Sequence, residues 1–406
     1  MKRPNSLPVY FVCALVLFLP FSSWLVSYFG NTNLSLGRDV LIFLILFSSL
    51  ITKRFQFNKT ATVYLALAFI IWAVATFFWR EASVEQWLRG MRFDLGPIVF
   101  FLSLANLRLK KGELRSIIVS VILSFIVISI FAILEILNVP VPLTSSHSGS
   151  GSLTRLFYIE GDNWRRIQAI LAGPNALGLF LLVSAAYIAG AFRAVNKNLK
   201  YLMIIVVPLV VFTYSRSALL GLLLVLFILF YRFIDRKFGR LNAVFVIVLL
   251  FVALGFFVQY LRITPKYEDL ITHKASSSLR VEQYERIWET RADFEIKGRG
   301  AGAAGPSSQN RIDGGPNVWT ENVYLDIFET YGIVGLVLYL AILILLVVNN
   351  WRIRNDYNRT ALLALAGFSF TGIFINYYTG QVGIYLFWLA LALTLQDNLS
   401  NEKNTN

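Results

Sequence analysis

Cysteine and histidine are nearly absent from this chain: one cysteine, Cys13, and two histidines, His147 and His273, among 406 residues. A lone thiol has no disulfide partner, and three such side chains cannot supply the four ligands of a structural zinc site. Disulfide scaffolds, cysteine-based chemistry and zinc clusters are therefore excluded. Charge is also scarce, at 15% of residues, against 57% hydrophobic and 15% aromatic. With a mean hydropathy of +0.64, a water-soluble domain of this size would expose too much apolar surface. Secreted soluble enzymes, dinucleotide-binding α/β folds and disordered chains are disfavoured on the same ground.

Twelve apolar blocks fill the chain instead, separated by short charged punctuation. A helix rises about 1.5 Å per residue and the hydrocarbon slab is about 30 Å thick. Cutting on that basis predicts spans near 8–29, 39–52, 60–79, 93–107, 114–138, 167–192, 199–215, 216–234, 241–261, 323–350, 360–377 and 380–396. The expectation is an all-α polytopic membrane protein of about twelve transmembrane helices, a single integral membrane domain over 1–406. The run from Thr360 to Gln396 carries no charge and must fold back near Tyr377–Gln381. Met1-Lys2-Arg3 before an apolar run imitates a signal peptide, but no small-residue cleavage site follows, so an uncleaved first span is expected.

Alternating topology assigns 20 of the 37 Lys and Arg to the side of the N-terminus, and nine of the other 17 lie in one long loop from Arg262 to Glu321. Long loops translocate largely regardless of charge, so the positive-inside rule places both termini in the cytoplasm and the 262–322 loop outside. Much of the +14 net charge then reflects orientation against membrane lipids, and no nucleic acid need be invoked.

Functional groups are sought where charge lacks a topological reason. Arg216, within Ser215-Arg216-Ser217 between two apolar blocks, costs a few kcal/mol at membrane depth unless it faces a cavity or an anion. Phosphate recognition by its planar fork is one reading, and snorkelling to the headgroups is the other. The segment Val139–Arg166 joins a flexible Ser/Gly stretch, 144–152, to the charged end Glu160–Arg166. In the long loop, Ser276–Ile296 reads as a helix, with Val281, Tyr284, Trp288 and Ala292 at helical spacing and an i,i+4 pair Glu282–Arg286. Arg280 and Arg291 are eleven residues apart, which predicts one shared face. Gly300–Gly305 satisfies G-x-G-x-x-G but has no preceding strand, so it reads either as a turn allowing close backbone approach to a substrate or as a plain connector. Glu321, Asp326 and Glu329 place carboxylates at the start of the tenth span, where they could act as a base or oppose the helix dipole. Apart from Glu135, near the outer end of the fifth span, the apolar cores are almost free of charge.

Gly173-Pro174-Asn175-Ala176-Leu177-Gly178, Ser215-Arg216-Ser217-Ala218, Ser278-Leu279-Arg280, Gly298-Arg299-Gly300-Ala301-Gly302, Glu321-Asn322-Val323-Tyr324-Leu325 and Gly332-Ile333-Val334-Gly335 occur in that order. Together with the spans and the single large loop between the ninth and tenth, they resemble the O-antigen ligase and O-antigen polymerase superfamily of bacterial membrane glycosyltransferases. That resemblance implies an enzyme of the inner membrane. It would transfer glycan from an undecaprenyl-diphosphate-linked oligosaccharide donor to a glycan or lipid acceptor at a periplasmic active site, without cofactor or metal. Arg216 and Arg280 would clamp the diphosphate and Glu321 would be the base. Ligases of the family carry histidine where this chain has Glu321, so a polymerase is the expected subtype. A ligase to lipid A core or a protein O-oligosaccharyltransferase is the alternative, and a solute transporter the more distant one. Asn175, Arg291, Arg299, Asn322 and Tyr324 are the expected substrate-binding residues, and a chain-length regulator is an implied partner.

Overall fold

The computed structural model describes residues 7–29, 32–139, 157–158, 165–239, 274–308, 311–351, 355–376 and 381–401. The expected span 241–261, the 144–152 stretch and both histidines lie outside the described residues. The chain forms α1 (Leu7–Phe29), α2 (Leu36–Ile51), α3 (Ala61–Ala75), α4 (Val84–Ala105), α5 (Lys111–Ile136), α6 (Pro174–Val195), α7 (Met203–Phe212), α8 (Arg216–Phe238), α9 (Lys274–Thr290), α10 (Val323–Trp351), α11 (Asp356–Thr371) and α12 (Gln381–Asn401). A two-residue antiparallel pair, β1 (Phe157–Tyr158) and β2 (Arg165–Arg166), interrupts the helices.

Among the described residues, six segments are long and apolar enough to cross a membrane: Leu7–Val26, Ala61–Trp79, Lys111–Ile136, Pro174–Ala191, Arg216–Phe238 and Val323–Trp351. Val382–Gln396 is apolar but shorter. The expected run at 93–107 belongs to a helix that begins at Val84, where the Ser83 hydroxyl accepts the N–H of Gln86 at 3.2 Å. This helix carries Arg89, Arg92 and Asp94, so the expectation of almost charge-free helix interiors fails there.

Burial sorts the helices. The Pro174–Ala191 span is 94% buried inside the protein, against 33% for Leu7–Val26, Ala61–Trp79 and Arg216–Phe238. A helix apolar on every side must be surrounded by protein or lipid, and α6 with α12, whose Tyr385 and Trp388 are fully buried, forms the protein-enclosed centre. The other spans turn much of their surface outward. α11 lies against α6 and α8 through small residues: Gly190 faces Thr360, and Gly221 faces Thr371 and Gly367.

The basic loops gather at one end. Arg54, beyond α2, makes two bonds to Glu113 in the first turn of α5, at 2.9 and 2.6 Å. Arg115 of α5 donates to the Val195 carbonyl at the C-terminal end of α6 at 3.0 Å.

α10 is not one continuous helix. Gly332 adopts φ 68° and ψ −172°, a conformation unfavourable for a residue with a Cβ, and an added Cβ would stand 2.2 Å from the Ile296 carbonyl oxygen. The break removes the helical partners of three carbonyls, and each is satisfied from elsewhere. Glu329 O accepts from Arg299 N at 2.9 Å, Thr330 O from Gly300 N at 2.9 Å, and Tyr331 O from the Trp72 indole at 2.7 Å. The freed Ile333 N–H donates to Glu295 O at 2.8 Å. The Gly-rich segment is therefore packed rather than a plain flexible connector. It packs on α3, α4 and the α10 break, with Ala301, Ala303 and Ala304 buried and the Gln86 amide donating to Gly302 O at 3.0 Å and Ser307 O at 2.8 Å.

Candidate active site

The C-terminal ends of α5, α7 and α11 and the N-terminal ends of α6, α8 and α10 meet at the end of the bundle opposite the basic loops. Two local features bring α6 and α8 together there. Gly178 leaves no side chain between the helices, since a Cβ on it would stand 2.7 Å from the Ala218 Cβ. Ser215 is extended just before α8 begins, so Arg216 occupies the first helical position. N-terminal helix ends present unpaired N–H groups and positive dipole ends, which favour anions.

α9 covers this end. Val281 and Trp288 are exposed from the protein, whereas Ile287 is 2% exposed. The inward side carries Arg280, Gln283 and Ile287 at helical spacing. Both Nε and Nη2 of Arg280 lie 2.5 Å from Glu321 Oε2, with each side chain about 25% exposed. One turn on, Gln283 Oε1 accepts the N–H of Glu321 at 3.1 Å. The same helix thus holds both the side chain and the backbone of Glu321.

Arg216 interacts electrostatically with Arg280 and Glu321, and Arg166 interacts with Arg216 and Glu321. The structure therefore brings Arg216, Arg280 and Glu321 together as expected and adds Arg166. Arg166 donates from Nε to Thr213 O at 3.0 Å and from Nη2 to Asn175 Oδ1 at 3.1 Å. Burial, then the positive charge of Arg216, pushes the Arg166 guanidinium below its ordinary value, while Glu321 opposes the shift. Among the described residues, Arg280 pairs directly with the carboxylate of Glu321, and Arg216 and Arg166 lie within electrostatic reach of it. Such a site can hold a multiply charged anion and offers one carboxylate to accept a proton.

The other expected binding residues are engaged elsewhere. Asn175 supports Arg166. Arg291 does not share a face with Arg280, because α9 ends at Thr290 and a tight turn follows. Its guanidinium lies 4.2 Å from the Trp288 ring centre and donates to Trp288 O at 2.5 Å. Arg299 bonds Glu329 at 3.2 Å, Glu81 at 3.1 and 3.2 Å, and Thr290 Oγ1 at 3.2 Å. With Arg286, which reaches the same carboxylate at 2.8 and 3.2 Å, it neutralises the fully buried Glu329. The side-chain oxygen of Asn322 caps α10 by accepting from Tyr324 N at 2.9 Å and Leu325 N at 3.1 Å. The Tyr324 hydroxyl donates to Ser369 O at 2.6 Å. These contacts make Arg299, Asn322 and Tyr324 parts of the scaffold around the cluster.

Arg166 was visible in the sequence as part of a charged segment, but its arginine neighbour is fifty residues away and no periodicity connects them. A signal did exist in its position next to the apolar run 167–192, the same circumstance that singled out Arg216.

A family model described as O-antigen ligase matches residues 201–340, which run from the approach to α7 into α10 and include Arg216, Arg280 and Glu321. The match supports the O-antigen ligase and polymerase superfamily. The matched region is about a third of the chain, and the apolar helices around it are those of a membrane protein. No curated protein matches the chain.

Proposed function

We propose that this protein transfers an undecaprenyl-diphosphate-linked glycan to an acceptor sugar on the periplasmic face of a bacterial inner membrane, most closely as an O-antigen or exopolysaccharide polymerase. The observation that carries the reading is the convergence of Arg166, Arg216 and Arg280 on Glu321 at the end of the bundle away from the basic loops. Positive charge clustered beside apolar helices suits a lipid-borne diphosphate, whose phosphates need cations and whose chain needs a greasy surface.

In the proposed reaction, the acceptor hydroxyl oxygen attacks the anomeric carbon as the bond from that carbon to the diphosphate oxygen breaks. The hydroxyl proton passes to Glu321, and the bonding pair leaves with undecaprenyl diphosphate. The three guanidinium groups stabilise the charge growing on that leaving group, and a single displacement inverts the anomeric configuration. In the resting arrangement Glu321 occupies Arg280, so a bound diphosphate takes its place and frees the carboxylate for the proton. Asn175 acts through Arg166, and Gln283 through the backbone of Glu321. No step calls for a metal or cofactor.

The family description favours a second reading, transfer to lipid A core by a ligase or to protein, which would use the same cluster with another acceptor. Glu321 in place of the ligase histidine supports the polymerase. The test is to supply purified protein with a defined undecaprenyl-diphosphate repeat unit. Ladders of longer lipid-linked chains support the polymerase, and transfer only to core lipid or protein supports the alternative. Solute uptake without glycan turnover would refute both.

A further inference from the structure

One buried charge has no place in this reaction. Glu135, at the C-terminal end of α5, is 3% exposed, and a carboxylate so placed at the edge of an apolar helix is expensive unless it is hydrogen-bonded. Its Oε2 alone accepts two backbone N–H groups, those of Gln168 at 2.9 Å and Ala169 at 2.7 Å. Ala169 has φ 53°, a left-handed conformation that residues with a Cβ adopt only when their surroundings hold it.

The strap held in this way leads directly to the cluster. Ile167 N donates to Phe212 O at 3.2 Å, and Arg166 donates to Thr213 O and Asn175. The chain from 166 to 169 thus bridges Glu135 and the turn that opens into Ser215 and Arg216. We infer that Glu135 is a positioning residue for the donor diphosphate: by clamping the backbone at 168–169 it aims the Arg166 guanidinium into the site. The inference rests on the diphosphate reading above. Both of these N–H groups fall on a single oxygen, so the clamp asks for an acceptor at that point.

The test uses the full-length protein in nanodiscs with undecaprenyl diphosphate as the probe, measuring Kd for Arg166→Ala, Glu135→Ala, Glu135→Gln, Glu135→Asp and the Glu135→Ala/Arg166→Ala pair. Glu135→Ala should weaken binding on the order of tenfold by freeing two buried donors and the strap. Glu135→Gln keeps an acceptor oxygen at full reach and should bind like wild type, whereas the shorter Glu135→Asp keeps the charge and should bind weakly. The double variant should bind no more weakly than Arg166→Ala, because Glu135 acts through Arg166. Hydrogen exchange at the 168 and 169 amides should rise in the Ala and Asp variants only, which provides a readout from the milder Asp variant if Ala does not fold.

Losses that multiply in the double variant, or Asp binding normally while Gln does not, would overturn the inference. So would a wild-type Kd in Glu135→Ala while Arg166→Ala is impaired, and in that case the diphosphate reading would stand. If Arg166→Ala itself binds normally, this inference falls, and the diphosphate reading is then tested by the same Kd measurement on Arg216→Ala and Arg280→Ala, normal binding in both refuting it.

Discussion

Replacing Glu321 by glutamine should move donor affinity and turnover in opposite directions. Arg280 holds the Glu321 carboxylate at 2.5 Å, with both side chains about 25% exposed. Two unit charges about 4 Å apart attract by about 4 kcal/mol at an effective dielectric near 20. Desolvation and the remaining solvent contact reduce the net worth of such a pair to about 1 kcal/mol. A diphosphate binding to Arg280 has to displace that carboxylate, so neutralising it should tighten donor binding about fivefold. The proton acceptor is lost at the same time, and turnover should fall by about 10²–10⁴. Glu321→Gln in nanodiscs, assayed for undecaprenyl-diphosphate Kd and for single-turnover glycan transfer, checks both halves. Weaker binding in parallel with slower turnover would reduce Glu321 to a scaffold for Arg280. Retained turnover would remove it from the chemistry.

Glu329→Ala strands Arg286 and Arg299 beside a fully buried site. It should cost about 3 kcal/mol, read as a lower Tm in detergent. Arg299→Ala should lower Tm as well while leaving the donor Kd unchanged. Gly332→Ala must fit a Cβ 2.2 Å from the Ile296 carbonyl at φ 68°, so backbone strain of about 1–3 kcal/mol plus the clash should sharply reduce the yield of folded protein. Arg311, at 2.7 and 2.8 Å, with the backbone N–H groups of Ser83 and Gly315, holds the Asp313 carboxyl well below the usual carboxylate range. A depressed folded value means that this contribution is complete above about pH 4 and is lost only as pH falls further, through the folded value. Protease resistance of the 311–322 segment should therefore stay flat from pH 8 to 5, and Asp313→Asn should lower it throughout that range.

Much of the architecture was legible because lipid imposes a length and a polarity on each crossing, so charge-free runs mark helices with little need for local propensity. Arg216 and Glu321 were legible for a related reason, since charges next to apolar blocks need a purpose. Three features escaped. α4 extends well upstream of its apolar run, where Arg92 is tolerated through its ion pair with Asp39, and within the run the Tyr331 hydroxyl reaches Asp94 at 2.8 Å. Val281 and Trp288 of α9 keep helical spacing without facing the core, because apolar periodicity marks a core-facing stripe only when the opposite side meets water, and here the side that packs inward carries Arg280 and Gln283. Arg291 was misplaced because eleven residues make three turns only if the helix continues, and it ends at Thr290.

The interruption at Gly332 also bears on how the chain is built. Residues Val323–Tyr331 cannot complete their backbone bonding alone, because they borrow N–H groups from Arg299 and Gly300. A segment in that condition is poorly suited to enter a bilayer unaided. The order of synthesis meets the need, since 295–300 emerge before α10. Assembly should accordingly wait on the 295–300 segment docking, so that the latch closing the tenth helix also holds α9 over the arginines.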